Sequence, residues 1–199
     1  MPNGLKPVCF HHLLGDQEGF TILELMMVLL VSGILAMLAL PAMRQFLQNQ
    51  GLSSAASELV SGLNYARSEA IKEDVSVNGG GGVRLCASTG AGANPTCDSA
   101  NWATGWIVLS STNAAPLQLV GALPSTITLT STPVNSAVAF QPNGTAPTLG
   151  VAANGRVSFK LCDARGASYA REVEVNLAGI IQAARTPGQD VSGAALTCP

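Results

Sequence analysis

Hydrophobic positions are concentrated in one long run near the N-terminal end of the chain. The segment Phe20–Leu40 is interrupted only by Thr21, Glu24, Ser32 and Gly33. About 20 apolar helical residues cross the hydrocarbon core of a bilayer. The pattern therefore predicts a transmembrane helix over residues 20–41, with one carboxylate, Glu24, close to its start.

A second pattern follows Pro41, a residue that we expect to bend the helix axis. Apolar residues recur there at spacings of three and four, which places them on one face of a helix. They are Leu52, Ala55, Ala56, Leu59, Leu63, Ala66, Ala70 and Ile71. Residues 42–74 are therefore predicted to form the amphipathic half of the same helix, with this face packed against the rest of the chain.

Residues 75–199 form the predicted head, in which short β-branched runs alternate with turn-forming residues. Strands are predicted at Val75–Val77, Val83–Cys86, Gly105–Ser110, Leu117–Val120, Thr126–Thr130, Ala137–Gln141, Val157–Cys162 and Arg171–Gln182. The expected architecture is an α+β fold, with the long N-terminal helix packed on antiparallel β-sheets.

Composition and charge narrow the class of protein. Hydrophobic residues make up 47% of the chain and charged residues 11%, whereas soluble domains carry about 25% charge. The net charge of −2 gives no bulk electrostatic argument for a polyanionic partner. The composition indicates a chain of which part is embedded in lipid or heavily packed.

Three interpretations of the N-terminus compete. A secretory signal peptide needs a basic segment before the apolar run and a small-residue cleavage site after it, but Asp16, Gln17, Glu18 and Gly19 precede the run here. A plain membrane anchor leaves Glu24 unexplained. The third interpretation is a processed leader.

The segment Gly19–Met26, which reads Gly-Phe-Thr-Ile-Leu-Glu-Leu-Met, resembles the prepilin processing motif. This resemblance implies that a prepilin peptidase removes the leader, residues 1–19, by cutting between Gly19 and Phe20, and then methylates the new amine. It also implies a single-pass protein of the bacterial inner membrane with its head in the periplasm. Glu24 is then expected to pair with the N-terminal amine of a neighbouring pilin and so to act in assembly.

Cysteine and histidine usage fits this processing. Removal of the leader discards Cys9, His11 and His12 and leaves four cysteines in the head. Disulfides are expected there, because the periplasm is oxidising, and the favoured connectivity is Cys86–Cys97 with Cys162–Cys198. Without histidine or a free cysteine, neither a metal site, a cofactor nor an enzymatic function is predicted.

Further phrases resemble the GspH/FimT family of minor pilins and pseudopilins. They are Leu63–Ala70, Phe140–Gly144 and Leu161–Gly166. Some members of that family bind DNA through a Gly-Arg-x-Arg phrase in the last hairpin, and the matching place here, Gly179–Gln182, lacks both arginines. The neighbouring cations form the candidate DNA-binding set: Lys160, Arg165, Arg171 and Arg185.

The resemblance thus implies a minor type IV pilin that joins the priming or tip complex of a pilus through its N-terminal helix. Two alternatives stay open from the sequence. One is a DNA-binding pilus subunit for DNA uptake, and the other is a pseudopilin of type II secretion.

Overall fold

A computed structural model describes residues 19–73, 82–90, 95–110, 116–134, 137–147 and 155–198 of the chain. It divides into two compact units, Met1–Arg44 and Gln45–Pro199. The two units are described separately below.

A single helix, α1 (Ile22–Lys72), contributes to both units and stays helical through Pro41. In the second unit its apolar face is buried, as the spacing of three and four predicts, except at Ile71, whose predicted burial is wrong because it lies in the last turn of the helix and is 55% exposed. The buried side chains include Leu52, Ala55, Ala56, Leu59, Leu63, Ala66 and Ala70. This half of the helix therefore supplies one wall of the core of the head.

In the described part of the chain, eight strands follow the helix and form two four-stranded antiparallel sheets. In chain order they are β1 (Val83–Ala87), β2 (Trp106–Ser110), β3 (Pro116–Val120), β4 (Ile127–Thr132), β5 (Val138–Phe140), β6 (Arg156–Asp163), β7 (Arg171–Asn176) and β8 (Ile181–Ala183). The first sheet has the order β3-β2-β1-β5 and the second β4-β6-β7-β8. The predicted α+β fold, a long helix with antiparallel sheets, is confirmed.

Six of the predicted strands are present with shifts of one or two residues at their ends. The prediction of one strand over Arg171–Gln182 is wrong, because the chain turns back at Gly179, whose φ is +73°. The Gly179 N–H donates to the Asn176 carbonyl at 2.8 Å, and this turn separates β7 from β8. The predicted strand Val75–Val77 lies outside the described residues.

Aromatic side chains fill the space between the helix and the sheets. Trp102 and Phe159 meet edge to face, with ring centroids 4.7 Å apart, which is a favourable aromatic geometry. Trp106 packs against α1 at Gly62, where a Cβ would lie 3.0 Å from its Nε1 atom. Both tryptophans of the chain are therefore buried in the head, and their fluorescence reports on its folding.

Two disulfides close the head, in the pairing that the sequence favours. Cys86 is joined to Cys97 with their Cα atoms 5.5 Å apart, and Cys162 to Cys198 with their Cα atoms 6.0 Å apart. The second bond holds the C-terminal segment against β6, where Cys162, Ala170 and Leu196 form a small buried cluster. On the loop-closure model, each bond lowers the entropy of the unfolded chain and so stabilises the fold by roughly 3 to 4 kcal/mol.

Candidate functional site

The start of α1 coincides with the predicted processing motif. Thr21 is the residue before the helix, and its hydroxyl oxygen accepts a hydrogen bond from the Glu24 N–H at 3.2 Å. The Thr21 carbonyl accepts the N–H of Leu25 at 3.1 Å. Thr21 therefore satisfies amide groups that a helix start leaves unpaired. Glu24 lies in the first turn, where the positive end of the helix dipole stabilises a carboxylate.

The first unit presents an apolar helical surface. Phe20 is 83% exposed, and the aliphatic and methionine side chains that follow it as far as Leu40 are exposed as well. Within the described ranges, α1 is the helix that is long and apolar enough to cross a bilayer. Water does not accommodate so large a contiguous apolar surface, so this segment must be covered by lipid or by other helices.

In the head, two of the sequence phrases that carry the family resemblance, Leu63–Ala70 and Phe140–Gly144, meet the last hairpin at one junction. Arg67 of α1 donates from Nε to the Gly144 carbonyl at 3.0 Å. Gly179, in the turn between β7 and β8, lies against the same carbonyl, so closely that a Cβ would overlap its oxygen. The helix, the Gln141–Gly144 turn and the last hairpin are therefore fixed to one another at this point.

Two of the four candidate DNA-binding cations are held by intramolecular contacts. Arg165 forms an ion pair with Asp163 at 2.6 Å and donates to the Asn49 amide oxygen at 2.7 Å. Its guanidinium also lies 4.2 Å from the centre of the Tyr169 ring. Lys160 donates to the carbonyl of Thr197 at 3.0 Å. These contacts indicate structural roles that tie the sheet to α1 and to the C-terminal segment.

The four cations do not form one surface. Lys160 is in register with Glu172, and Leu161 is in register with Arg171. Consecutive residues of a strand point to opposite faces of a sheet, so Lys160 and Arg171 lie on opposite faces. Arg185 follows β8 and lines an exposed polar pocket of about 520 Å³ with Asp190. A single cationic path for a phosphate backbone is therefore not built from these residues.

Comparison with known proteins gives two family matches. A model described as Type II transport protein GspH matches residues 55–179, which is most of the head. A model described as a prokaryotic N-terminal methylation motif matches residues 15–40. The chain belongs to the GspH family.

Solved structures agree with this membership. A crystal structure of the type IV minor pilin FimU of Pseudomonas aeruginosa is similar with 26% identity and a TM-score of 0.54, over 77% of this chain and 99% of that one. A second crystal form of FimU gives 26% identity and a TM-score of 0.51, over 74% of this chain and 100% of that one. No curated protein matches the chain significantly. This GspH family member is thus a membrane-anchored subunit of the pilin and pseudopilin class, whose members are structural proteins.

One buried charge in the head of this GspH family member has a perturbed pKa. Glu172 is 6% exposed, under the C-terminal segment, and its Oε2 accepts the Val191 N–H at 3.1 Å. Burial raises the pKa of Glu172, and the nearby Asp190 and Glu174 charges act in the same direction, while the Val191 hydrogen bond opposes them.

Within the described residues, no group of three or more histidine, cysteine, aspartate or glutamate side chains is placed to hold a metal ion.

The raised pKa predicts how the stability of the head depends on pH. The folded chain binds the Glu172 proton more tightly than the unfolded chain, so this contribution is complete below the ordinary glutamate pKa and is lost as the pH rises through the raised value. Glu172→Gln is expected to stabilise the head at neutral pH and to have little effect at acid pH. Urea unfolding of the full chain in detergent, followed by tryptophan fluorescence at both pH values, measures this difference. Glu58→Gln, at an exposed carboxylate on α1, is the matched control, and a neutral-pH loss of stability in Glu172→Gln would contradict the assignment.

Several contacts of this site carry only weak sequence signals. The Thr21–Glu24 spacing fits a helix cap, and the sequence Asp163-Ala164-Arg165 allows a local ion pair. The Arg67–Gly144 contact joins residues 77 positions apart, and no local pattern predicts it. It depends on how the last hairpin and the Gln141–Gly144 turn meet the helix.

Proposed function

We propose that this GspH family member is a minor pilin of a type IV pilus. It is inserted in the inner membrane with its head in the periplasm, is processed between Gly19 and Phe20, and joins the priming or tip complex through α1. The observation that carries the proposal is the exposed apolar helix that begins at a capped processing motif and holds Glu24 in its first turn.

Glu24 gives the helix a means of recognising another subunit. A carboxylate inside a membrane costs about 2.5–3.5 kcal/mol on insertion scales and is usually paired. After cleavage, a neighbouring pilin presents a cationic amine at the start of its own helix, where the dipole is also positive. Pairing of the two charges offsets the cost of insertion and sets the axial register of the two helices.

The similarity to FimU favours a pilus over a secretion pseudopilus. It extends over nearly the whole of the FimU chain, and FimU is described as a type IV minor pilin. The alternative of a type II secretion pseudopilin rests on the description of the family model. The two differ in where the chain is found, because a pilin is recovered in filaments sheared from the cell surface.

The DNA-uptake alternative is less favoured by the positions of the cations. Phosphate affinity grows with the number of cations presented together. Arg165 and Lys160 already have partners inside the head, and Arg171 lies on the opposite face from Lys160. The function supported best is therefore assembly.

The test is Glu24→Gln in the full chain, expressed in a host that lacks its own copy. The variant keeps the helix and the size of the side chain but loses the charge, so we expect normal cleavage and a loss of roughly tenfold or more in the amount recovered in sheared pili. Immunoblots of membranes and of sheared pili measure both quantities.

The matched control for Glu24 is Glu58→Gln. Glu58 is also an exposed carboxylate of α1, but it lies in the head half of the helix, and its replacement is expected to leave incorporation unchanged. Recovery of Glu24→Gln in pili at the wild-type level would remove the pairing role.

A further inference from the structure

The second sheet has an open edge at β8. The sheet ends at this strand, which pairs with β7 alone. The register places Glu174 opposite Gln182 and Val173 opposite Ala183, and the Ala184 N–H donates to the Glu172 carbonyl at 2.9 Å.

These pairings decide which backbone groups of β8 remain free. In an antiparallel ladder, alternate residues direct their N–H and C=O groups to the partner strand. Gln182 and Ala184 use theirs on β7, so Ile181 and Ala183 direct theirs away from it. Among the described residues, none forms a hydrogen bond to this outer side of β8. An unpaired strand edge of this kind is a template for another extended chain.

A groove of about 320 Å³ runs beside this edge, between β8 and α1. Its helix wall is made of small side chains, and its sheet wall carries a cation. Ser53, Ala56, Ser57 and Val60 of α1 line one wall, and Arg171, Glu172 and Ala183 of the sheet line the other. The Glu172 side chain points to the opposite face of the sheet, because Glu172 is in register with Lys160. Ile181, on the same face of β8, packs against the core. An added strand would therefore direct every second side chain into this groove.

Arg171 indicates the charge of the occupant. Its side chain is half-buried and lies on the helix side of the sheet, because it is in register with the buried Leu161. No hydrogen bond or ion pair joins its guanidinium to another residue in the described part of the chain. Such a guanidinium binds an anionic group, a carboxylate or a phosphate, in bidentate geometry.

We infer that β8 is a docking edge for an extended, acidic segment of a neighbouring pilin subunit. The segment adds a strand to the second sheet through the free backbone groups of Ile181 and Ala183, and one of its carboxylates binds Arg171 in the groove. A polypeptide is favoured over a nucleic acid because only a polypeptide continues the hydrogen-bond ladder. This inference rests on the proposed function, since it assigns the partner to the filament.

The structure offers two independent ways to block this edge. Ala183→Pro removes an N–H that β7 does not use, so the internal ladder of the sheet is retained while the docking edge loses a donor. Ala183→Ser is its matched control, because it keeps the N–H. Arg171→Gln removes the charge in the groove, and Arg156→Gln, at an arginine paired with Glu174 at 3.2 Å, is the control for loss of a sheet arginine.

The experiment is photo-crosslinking of the full chain in its own host. A benzophenone amino acid is placed at Ser54, an exposed position of α1 next to the groove, and crosslinked peptides from sheared pili are identified by mass spectrometry. We expect a crosslink to another pilin subunit within a segment that carries aspartate or glutamate. Ala183→Pro and Arg171→Gln should each lower its yield roughly tenfold, while both controls retain it. Wild-type tryptophan fluorescence is required of each variant.

Any of four results would overturn the inference. They are a crosslink unchanged by both blocking variants, a crosslinked segment without acidic residues, a crosslink only to a second copy of this chain, and a crosslink abolished by DNase. A chain that is present in pili but gives no crosslink from Ser54 rejects the docking edge and leaves the minor-pilin proposal standing. Absence of the chain from pili rejects the proposed function itself.

Discussion

Replacement of Gly19 by leucine is expected to leave the chain as a full-length precursor in the membrane. The proposed peptidase must bind the backbone at the cleavage site closely, and a residue without a Cβ allows that approach. Among the described residues, none beyond its chain neighbour lies within 4 Å of the position that a Cβ at Gly19 would occupy. The substitution therefore changes the cleavage site without disturbing the fold of the head.

Nearly all of the Gly19→Leu protein should keep residues 1–19, and little of it should enter pili. Intact mass measurement of the membrane-extracted chain gives the processed fraction directly. Gly33→Leu is the matched control, because Gly33 lies in the same apolar helix and its Cβ position is equally unobstructed. Normal processing of Gly19→Leu, or a precursor that accumulates equally with Gly33→Leu, would contradict the leader assignment.

The second large effect, on the stability of the head, is expected at Gly179, in the turn of the last hairpin that lies against the Gly144 carbonyl. Its φ of +73° is costly for a residue with a Cβ, and that Cβ would overlap the Gly144 carbonyl oxygen. The same oxygen accepts the hydrogen bond from Arg67, so it cannot withdraw without breaking that contact. Gly179→Ala therefore combines backbone strain with a steric clash.

Gly166→Ala separates the effect of backbone strain from the effect of the steric clash. Gly166 has a φ of +90° and a ψ of −171°, a region nearly restricted to glycine, but no described atom lies within 4 Å of its Cβ position, so only strain is expected there, about 1–3 kcal/mol. Gly179→Ala should lower the free energy of unfolding by roughly 3 kcal/mol or more, a large part of the stability of a typical domain. Urea unfolding followed by tryptophan fluorescence compares the two, and equal losses would show that the junction is not tightly packed.

The elements that the sequence predicts well are those with a clear local pattern of apolar and polar residues. The apolar run predicts the extent of the first half of α1, and the alternation of β-branched residues predicts six strands. In each case the side chains that share one face recur at the period of the element. The hairpin formed by β7 and β8 is missed because Asn176 and Gly179 are the turn-forming residues in an otherwise β-like run, and a single glycine in a strand also fits a bulge.

The candidate DNA-binding set shows that sequence alone does not predict which face of a sheet a side chain occupies. Lys160 and Arg171 are close in space, since β6 and β7 pair, but the register of that pair decides which face each side chain occupies. Register depends on the turn between the strands and on the core that they share. Sequence proximity therefore grouped cations that the fold separates, and it gave no sign that Arg165 is held by Asn49 of the helix.

We propose that this chain is processed at Gly19 and becomes part of a pilus. The most direct test is mass spectrometry of the chain in purified, sheared pili from cells that express it at its natural level. We expect a chain that begins at methylated Phe20 and is absent from pili when Glu24 is replaced by glutamine. A chain that is missing from wild-type pili, or that is found there with residues 1–19 still attached, would contradict it.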